Sequence, residues 1–149
     1  WERDMRTNVV KWSRESFTIM GLPPFGMTPD YHIWADRVHP DDLPGANEKM
    51  RKAIEERRDF RHEYRIIWPD GSVRWVEGLG KPVYDEDGQC LKVSGLIVDI
   101  TETKRAELNT QFINQLDFEL SQIADPDEII RLAMYDTGRI LRGRSVSCS

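Results

Sequence analysis

The chain has 149 residues, the length of one ordinary domain, and 39% of them are hydrophobic. Its 21 basic and 26 acidic side chains leave a formal net charge of −5, and no basic stripe with interleaved aromatic residues offsets this acidity, so the composition excludes general binding to nucleic acid. No apolar run in the chain approaches the ~20 residues of a membrane-spanning helix, so we expect no direct membrane contact.

The first predicted elements are a hairpin and a short helix. Two strand-like runs, 1–5 and 9–12, flank a polar tip, which is typical of a β-hairpin. Ser13 follows as an N-cap for a helix over 14–20. Gly21 can end that helix, because glycine readily takes the left-handed conformation after a last turn.

The next stretch predicts short helical turns and then a longer helix. Residues 22–45 hold five of the chain's eight prolines, which forbid one continuous element. Asp30 can cap one of the short turns. A helix is predicted over 42–58, with a densely charged face opposite an apolar stripe. The stripe consists of Leu43, Ala46, Met50, Ala53 and Ile54.

Residues 59–101 predict three strands joined by two turns. Apolar and aromatic residues recur at every second position over 60–68, which is the period of a strand with one buried face. Proline, aspartate and glycine at 69–72 and 85–88 predict reversals of the chain. The third run, 90–100, is apolar on both faces, so we expect a central strand that is covered on both sides.

The second of these strands carries glycine on one face. Gly78 and Gly80 share that face with Val76, whereas Trp75 and Leu79 lie on the other. Glycine inside a strand costs about 0.5 to 1 kcal/mol relative to alanine, so we expect a close approach at these positions. The approaching group is either a ligand or a helix backbone, and helix packing is favoured. Trp75 and Leu79 can instead cover the outer surface of the sheet and meet a dimer partner.

The sequence after the third strand predicts two helices. Thr101 can cap a helix from Glu102 to about Ile123, whose core positions follow a 3,4 pattern. One position holds Ala106, Ile113 and Leu120, and the other holds Asn109, Leu116 and Ile123. About two and a half heptads predict a weak homodimer, with Ile113, Leu116, Leu120 and Ile123 in contact. A separate helix is predicted to begin at Asp125.

Six pieces of sequence, taken in order, resemble a PAS domain of the subtype that has E-Y-R and R-W strand elements and a D-I-T terminus. These pieces are Trp1-x-x-Asp4 with Trp12-Ser13, Ile19-Met20-Gly21, Val38-His39-Pro40-Asp41-Asp42, Glu63-Tyr64-Arg65-Ile66, Asp70-Gly71-Ser72-Val73-Arg74-Trp75, and Gly95 with Asp99-Ile100-Thr101. The resemblance covers residues 1–101. Residues 125–149 resemble the first helix of a GAF domain.

The resemblance implies an α+β PAS fold. Its parts are a five-stranded antiparallel sheet, short helices on one face, a small cavity between them and a C-terminal signalling helix. The implied segments are a PAS sensory domain at 1–101, a signalling or coiled-coil linker helix at 102–124 and the truncated start of a GAF-like domain at 125–149. Domains of this kind act upstream of output modules such as the histidine kinases of two-component systems or diguanylate cyclases.

Two sets of residues are the candidate sites. Asp99, Ile100 and Thr101 are the predicted signal-transfer residues. Thr101 would cap the outgoing helix, while Asp99 would either pair with a cation, Arg74 or Arg65, or belong only to the cap. The predicted ligand pocket consists of Trp34, Val38, Tyr64, Val76, Gly78 and Gly80.

No cofactor and no metal is predicted, although an unknown small ligand remains open. Light-sensing relatives need a reactive cysteine in the helical segment beside a flavin, and residues 13–58 contain none. Haem-binding relatives take the iron on a histidine of the long helix, and none lies between Asp42 and Arg58. His39 is predicted to have a loop or capping role and not to bind iron. His62 is predicted to be a strand residue whose polar atoms have ordinary partners.

The predicted function is that of a cytoplasmic sensory and dimerisation module of a multidomain signalling protein, without catalytic activity of its own. No nucleophile set, phosphate-binding glycine loop or paired-acid motif is present in the sequence. Cys90 and Cys148 form neither a disulfide framework nor a metal-ligand spacing, which favours a reducing cytoplasm. The parent protein can still be membrane-anchored. Two alternatives stay open: a flavin- or haem-binding redox or gas sensor, and a structural dimerisation module with a filled core.

Overall fold

The computed structural model describes residues 1–122, of which Trp1–Lys104 form one compact unit. The helix predicted from Asp125, the GAF-like segment 125–149 and Ile123 lie outside the described residues. The described elements are, in chain order, β1 (Glu2–Asp4), β2 (Val10–Lys11), α1 (Arg14–Ile19), α2 (Tyr31–Arg37), α3 (Leu43–Glu55), β3 (Phe60–Ile67), β4 (Val73–Tyr84), β5 (Cys90–Asp99) and α4 (Thr101–Ser121).

The strands form one antiparallel sheet in the order β2-β1-β5-β4-β3, which confirms the predicted five-stranded fold. Both predicted turns reverse the chain. Gly71 and Gly88 have φ angles of 85° and 81°, a conformation that glycine adopts without steric cost. β1 pairs with β5, with Glu2 opposite Ser94, and this pairing brings the opening hairpin beside the last strand.

The first three helices pack on one face of the sheet, called the inner face below. The predicted alternation of β3 is confirmed, because Phe60, Tyr64 and Ile66 are buried there while Arg61 and Glu63 are exposed. Fully burying a side chain of this size stabilises the fold by about 1.5 to 3 kcal/mol. The core joins residues from the helical segment to those of β3 and β4: Phe17, Met20, Leu22, Val38, Tyr64, Ile66 and Val76.

β5 lies at the centre of the strand order, but the prediction that both of its faces are covered is wrong. Val93 on the inner face is 1% exposed, whereas Leu96 on the other face is 65% exposed. The helical residues of the core pack against the inner face, and the described residues leave Leu96 and its neighbour Val98 open to solvent. An apolar strand pattern predicts burial, but it does not show which element covers each face.

The starts of α1 and α2 match the sequence better than the start of α4. Thr101, predicted to cap a helix from Glu102, is instead the first residue of α4, and its side chain bonds to Asp99 and Trp75. Ser13 and Asp30 are caps as predicted, since each side chain accepts a hydrogen bond from a backbone N–H in the first turn of its helix. The third helix ends at Glu55, three residues before the predicted end. Arg57 takes a φ of 54°, and the amide of Arg58 donates back to the carbonyl of Ala53 at 3.0 Å.

Candidate functional site

A cavity of about 90 Å³ lies between the inner face of the sheet and the helices. Most of its lining is apolar, and aromatic rings from both layers contribute to it. The lining includes Trp1, Arg3, Trp12, Tyr31, Trp34, Asn47, Phe60, Tyr64, Gly78 and Ile97. Such a lining suits a small, largely apolar guest with a ring or an alkyl group.

The predicted pocket residues divide into two groups. Trp34, Tyr64 and Gly78 line the cavity. Val38 and Val76 instead lie in the packed core, where they are 3% and 0% exposed. Gly80 is not part of the lining either. Sequence alternation places the β3 and β4 residues of this set on one face of the sheet, but it does not separate the filled part of that face from the open part.

The two glycines of β4 make room for aromatic rings. A Cβ atom at Gly78 would lie 3.2 Å from the ring of Phe60 and 3.3 Å from that of Tyr64. A Cβ atom at Gly80 would lie 3.1 Å from the indole of Trp1. Among the described residues, the nearest groups are therefore side chains of the sheet and not a helix backbone, which corrects the favoured interpretation of these glycines.

The polar groups of the cavity are few. The indole N–H of Trp34 donates to the hydroxyl of Tyr64 at 3.1 Å. Burial raises the pKa of Tyr64 to about 12, so its hydroxyl keeps its proton at neutral pH. The hydroxyl of Tyr31 and the side-chain amide of Asn47 are within hydrogen-bond distance, the amide nitrogen donating at 2.8 Å.

Arg3 is the basic residue among the many lining residues that the predicted pocket did not include. Its guanidinium lies over the ring of Tyr31, 5.2 Å from the centroid, and its Nε donates to Oδ1 of Asn8 at 3.0 Å. The signal for an inward-facing residue is weak in a three-residue strand. Only the pairing of Arg3 with Val93 shows that its side chain shares a face with the core.

The second candidate site is the start of α4, where Asp99 and Thr101 meet β4. Oδ1 of Asp99 accepts hydrogen bonds from the backbone N–H of Thr101 at 2.9 Å and from its hydroxyl at 2.5 Å. The Thr101 oxygen accepts from the backbone N–H of Trp75 at 3.0 Å, and the amide of Ile100 donates to the Trp75 carbonyl at 2.9 Å. Thr101 is only 2% exposed, so these bonds are shielded from water.

The cation beside Asp99 is Arg74, one of the two arginines considered. Nη1 of Arg74 lies 3.7 Å from Oδ2 of Asp99. Arg65 is engaged elsewhere, because its Nε, its Nη2 and its backbone N–H donate to the carboxylate of Asp42 at 2.9, 2.7 and 2.8 Å. These bonds from Arg65 lower the pKa of Asp42 below its usual value. They also occupy the carboxylate at the start of α3, where Asp42 makes no side-chain cap.

The ring of Trp75 is also in contact with one cation from β3 and one from α4. The guanidinium of Arg65 and the ammonium of Lys104 lie 5.7 and 5.0 Å from the centroid of its ring. Lys104, in the first turn of α4, also pairs with Glu63 of β3 at 2.7 Å. Cation–π contacts of this kind contribute about 0.5 to 1 kcal/mol each at exposed sites. We call Arg65, Arg74, Trp75, Asp99 and Thr101 the junction.

α4 has an exposed apolar surface along its described length. Of the predicted dimer residues, Ile113, Leu116 and Leu120 are exposed, and Ile123 lies outside the described residues. Phe112 and Phe118, which the 3,4 pattern leaves out, are exposed as well. Exposed side chains of this size on one helix are typical of a surface that binds another protein segment.

His39 and His62 make contacts that are typical of structural residues. Nδ1 of His39 accepts a hydrogen bond from the backbone N–H of Asp41 at 3.1 Å, as a loop role requires. His62 is stacked on Tyr64, and burial lowers its pKa below the usual value. Within residues 1–122, no group of three histidine, cysteine or acidic side chains is placed to hold a metal ion.

Comparison with known proteins agrees with this architecture. A family model described as PAS fold matches residues 9–97. A sensory box histidine kinase/response regulator from Burkholderia thailandensis E264 has a similar solved structure, with a TM-score of 0.68, 24% identity and coverage of 80% of this chain and 88% of that one. At that identity the likeness concerns the fold. None of the described helices, α4 included, combines the length and apolar character needed to cross a membrane.

Two curated relatives match much of the chain. The probable diguanylate cyclase DgcE of Escherichia coli (strain K12) is 28% identical over 138 residues, which are 92% of this chain and 12% of that protein. The methyl sulfide methyltransferase-associated sensor of Methanosarcina acetivorans is 31% identical over 124 residues, which are 83% of this chain and 12% of that protein. The chain therefore spans about an eighth of the length of either relative.

Proposed function

Because this chain belongs to the PAS fold family, we propose that it is the cytoplasmic sensory module of a longer signalling protein. In this proposal, a ligand or a partner shifts the sheet, and Asp99, Ile100 and Thr101 pass the shift to α4. The observation that carries the proposal is the hydrogen bonding of Thr101, whose side chain joins Asp99 on β5 to the backbone of Trp75 on β4.

The first turn of α4 contacts three strands. Thr101 bonds to residues of β4 and β5, while Lys104 pairs with Glu63 on β3 and lies over the ring of Trp75. A change in the spacing of these strands therefore changes the positions of the partners that hold the turn. Helix interiors transmit such a change along their length, because their packing and hydrogen bonding make them stiff on this scale.

The parent protein would supply the output. The relatives are named as a probable diguanylate cyclase and a sensor, and each is far longer than this chain. A kinase or cyclase domain elsewhere in the parent is consistent with those names, and the module itself carries no catalysis. We propose that two copies pair through the apolar surface of α4, with Ile113, Leu116 and Leu120 at the contact, and that pairing lets α4 change its register or angle.

Neither a flavin nor a haem is part of the proposal. The cavity of about 90 Å³ is smaller than the ~300 to 1,000 Å³ of pockets that hold drug-sized ligands. A flavin or a haem is at least as large as such ligands. The same cavity argues against a purely structural dimerisation module, since a filled core would leave no such space between the sheet and the helices.

The test removes the carboxylate at the start of α4. Asp70 offers a matched control, because its Oδ1 accepts from the backbone N–H and the hydroxyl of Ser72, just as Asp99 does from Thr101. Hydrogen exchange by mass spectrometry on the full chain would compare Asp99→Ala with Asp70→Ala. We expect the amides of residues 101–104 to exchange about fivefold faster in Asp99→Ala alone, since losing a cap costs ~1 kcal/mol. Equal exchange rates in the two variants would contradict the proposed relay, the transfer of the shift through Asp99 to α4.

A further inference from the structure

The cavity contains one cation, Arg3, whose charge no carboxylate of the described residues neutralises. No acidic oxygen of residues 1–122 lies within 4 Å of its guanidinium nitrogens; its described partners are the amide oxygen of Asn8 and the ring of Tyr31. Asp30, which also lines the cavity, directs Oδ1 to the backbone N–H of Ile33 as the cap of α2. Arg3 therefore has donors left for an anion.

The rest of the lining fits a single ring. The centroids of Tyr31 and Trp34 lie 5.6 Å apart, and those of Trp34 and Tyr64 lie 6.0 Å apart, within the range at which aromatic rings attract one another. The open volume of about 90 Å³ is closer to the ~150 Å³ apolar cavity that holds benzene than to the pocket of a drug-sized ligand. The guest thus has a single ring, and its substituents are short.

Tyr64 supplies a second polar group. Its hydroxyl accepts from Trp34, but its own proton has no acceptor among the described residues. The side chain is 4% exposed, and its hydroxyl lies beside Trp34 and Gly78, which both line the cavity. A buried hydroxyl proton without an acceptor is rare, and a guest with an oxygen atom on the far side of its ring would satisfy it.

We propose that the cavity binds a single-ring aromatic carboxylate. The carboxylate pairs with Arg3, the ring lies among Tyr31, Trp34 and Tyr64, and an oxygen substituent opposite the carboxylate accepts from Tyr64. This inference rests on the proposed sensory function and specifies the class of ligand for it. The guanidinium fork favours a carboxylate over a neutral amide because the hydrogen bonds are charge-assisted.

The test is a calorimetric titration of the full chain with benzoate, benzamide, benzylamine and 4-hydroxybenzoate. We expect saturable one-to-one binding of benzoate, about tenfold tighter than that of benzamide, from one charge-assisted interaction. We also expect 4-hydroxybenzoate to bind tighter still and benzylamine to bind weakest. In Arg3→Met the preference for benzoate over benzamide should disappear. In Tyr64→Phe the preference for 4-hydroxybenzoate over benzoate should disappear.

Arg6→Met is the matched control, because Arg6 is exposed and does not line the cavity. It should keep both preferences. If Arg3→Met fails to fold, the benzoate-to-benzamide ratio of the unmodified chain still decides the matter. Equal affinity for the two, preference for benzylamine, or no binding of any probe would overturn the inference. None of these results would alter the exchange experiment on Asp99→Ala, so the ligand class and the relay fail separately.

Discussion

The cavity and the junction use the same sheet in opposite ways. The cavity is bounded by aromatic rings and holds about 90 Å³ of open space, and its hydrogen bonds between side chains, such as that from Trp34 to Tyr64, join neutral groups or the guanidinium of Arg3 to an amide. The junction is held by charged and polar contacts, among them the three bonds from Arg65 to Asp42 and the two from Thr101 to Asp99. Rings can shift without leaving a charge unpaired, whereas each break at the junction leaves a polar group without a partner.

This difference indicates at which positions a substitution should cost little of the free energy of unfolding. Changes beside open space should cost less, because a neighbouring ring can move into the gap. Changes at the junction should cost more per atom removed and should also alter α4. Deletion of similar groups in the cavity and in the junction tests this difference.

The largest loss of stability is expected from Asp42→Ala. The substitution removes three hydrogen bonds from Arg65 and leaves that guanidinium half-buried without its carboxylate. We expect the free energy of unfolding to fall by about 2 to 3 kcal/mol in urea denaturation. Asp41→Ala is the control, since its side chain is 79% exposed, and it should change stability by less than about 0.5 kcal/mol. Equal losses would contradict the importance of the pair.

The same pair predicts a dependence on pH. The pKa of Asp42 is lowered in the fold, so its contribution is fully present above its ordinary value of 3.8 and is lost as pH falls through the lower folded value. The difference in stability between the unmodified chain and Asp42→Ala should therefore be constant near neutrality. It should shrink as the solution is acidified below about pH 4. A difference that grows on acidification would show that the sign is wrong.

Thr101→Val should cost about 2 kcal/mol. Valine keeps the shape of threonine but removes the hydroxyl that donates to Asp99 and accepts from the backbone of Trp75. Both partners are then left without that bond at a position that is 2% exposed. Chemical denaturation measures the loss, and a cost near zero would mean that water replaces the hydroxyl at the junction.

Tyr64→Phe should cost about 1 kcal/mol, half as much as Thr101→Val. It also removes one hydroxyl, but only the indole N–H of Trp34 loses a partner, and the adjoining cavity can admit water to it. Denaturation of the two variants side by side gives the ratio directly. If Tyr64→Phe proved the more costly of the two, the cavity would be the more rigid region and the comparison would be reversed.

Leu116→Asp should have the smallest effect on the stability of the folded unit, below about 0.5 kcal/mol, because Leu116 is exposed on α4. It should nevertheless weaken dimerisation, since a carboxylate would lie in an apolar helix contact. Sedimentation measures the mass, and Glu107→Asp, a change that keeps the charge on the same helix, is the control. An unchanged mass for Leu116→Asp would count against pairing through α4.

The fold could be predicted from sequence wherever a local pattern has one structural meaning. Two-residue alternation over 60–68 and the glycine turns at 71 and 88 specify strands and reversals on their own. The exposure of Leu96 could not be predicted, because it depends on which elements pack across the sheet. The early end of α3 depends on the positive φ of Arg57, for which its side chain gives no signal.

The sites divide in the same way. Asp99 and Thr101 are neighbours in sequence, so their mutual hydrogen bonds could be anticipated, and Arg74 was one of two candidates for the ion pair. The pairing of Arg65 with Asp42 joins residues 23 positions apart. Arg3 enters the cavity only because β1 pairs with β5. Contacts across the sheet of this kind need the register, which the sequence pattern alone leaves undetermined.

The most direct test of the account is to disturb the cavity and observe α4. In Gly78→Ala, the new methyl group would press on the rings of Phe60 and Tyr64, and Leu96→Ala on the outer face serves as control. Hydrogen exchange at the amides of residues 101–104 is the readout. The account predicts a changed rate there in Gly78→Ala and no change in Leu96→Ala. Adding Gly78→Ala to Asp99→Ala should produce no further change beyond that of Asp99→Ala alone. Unchanged exchange in Gly78→Ala would contradict it.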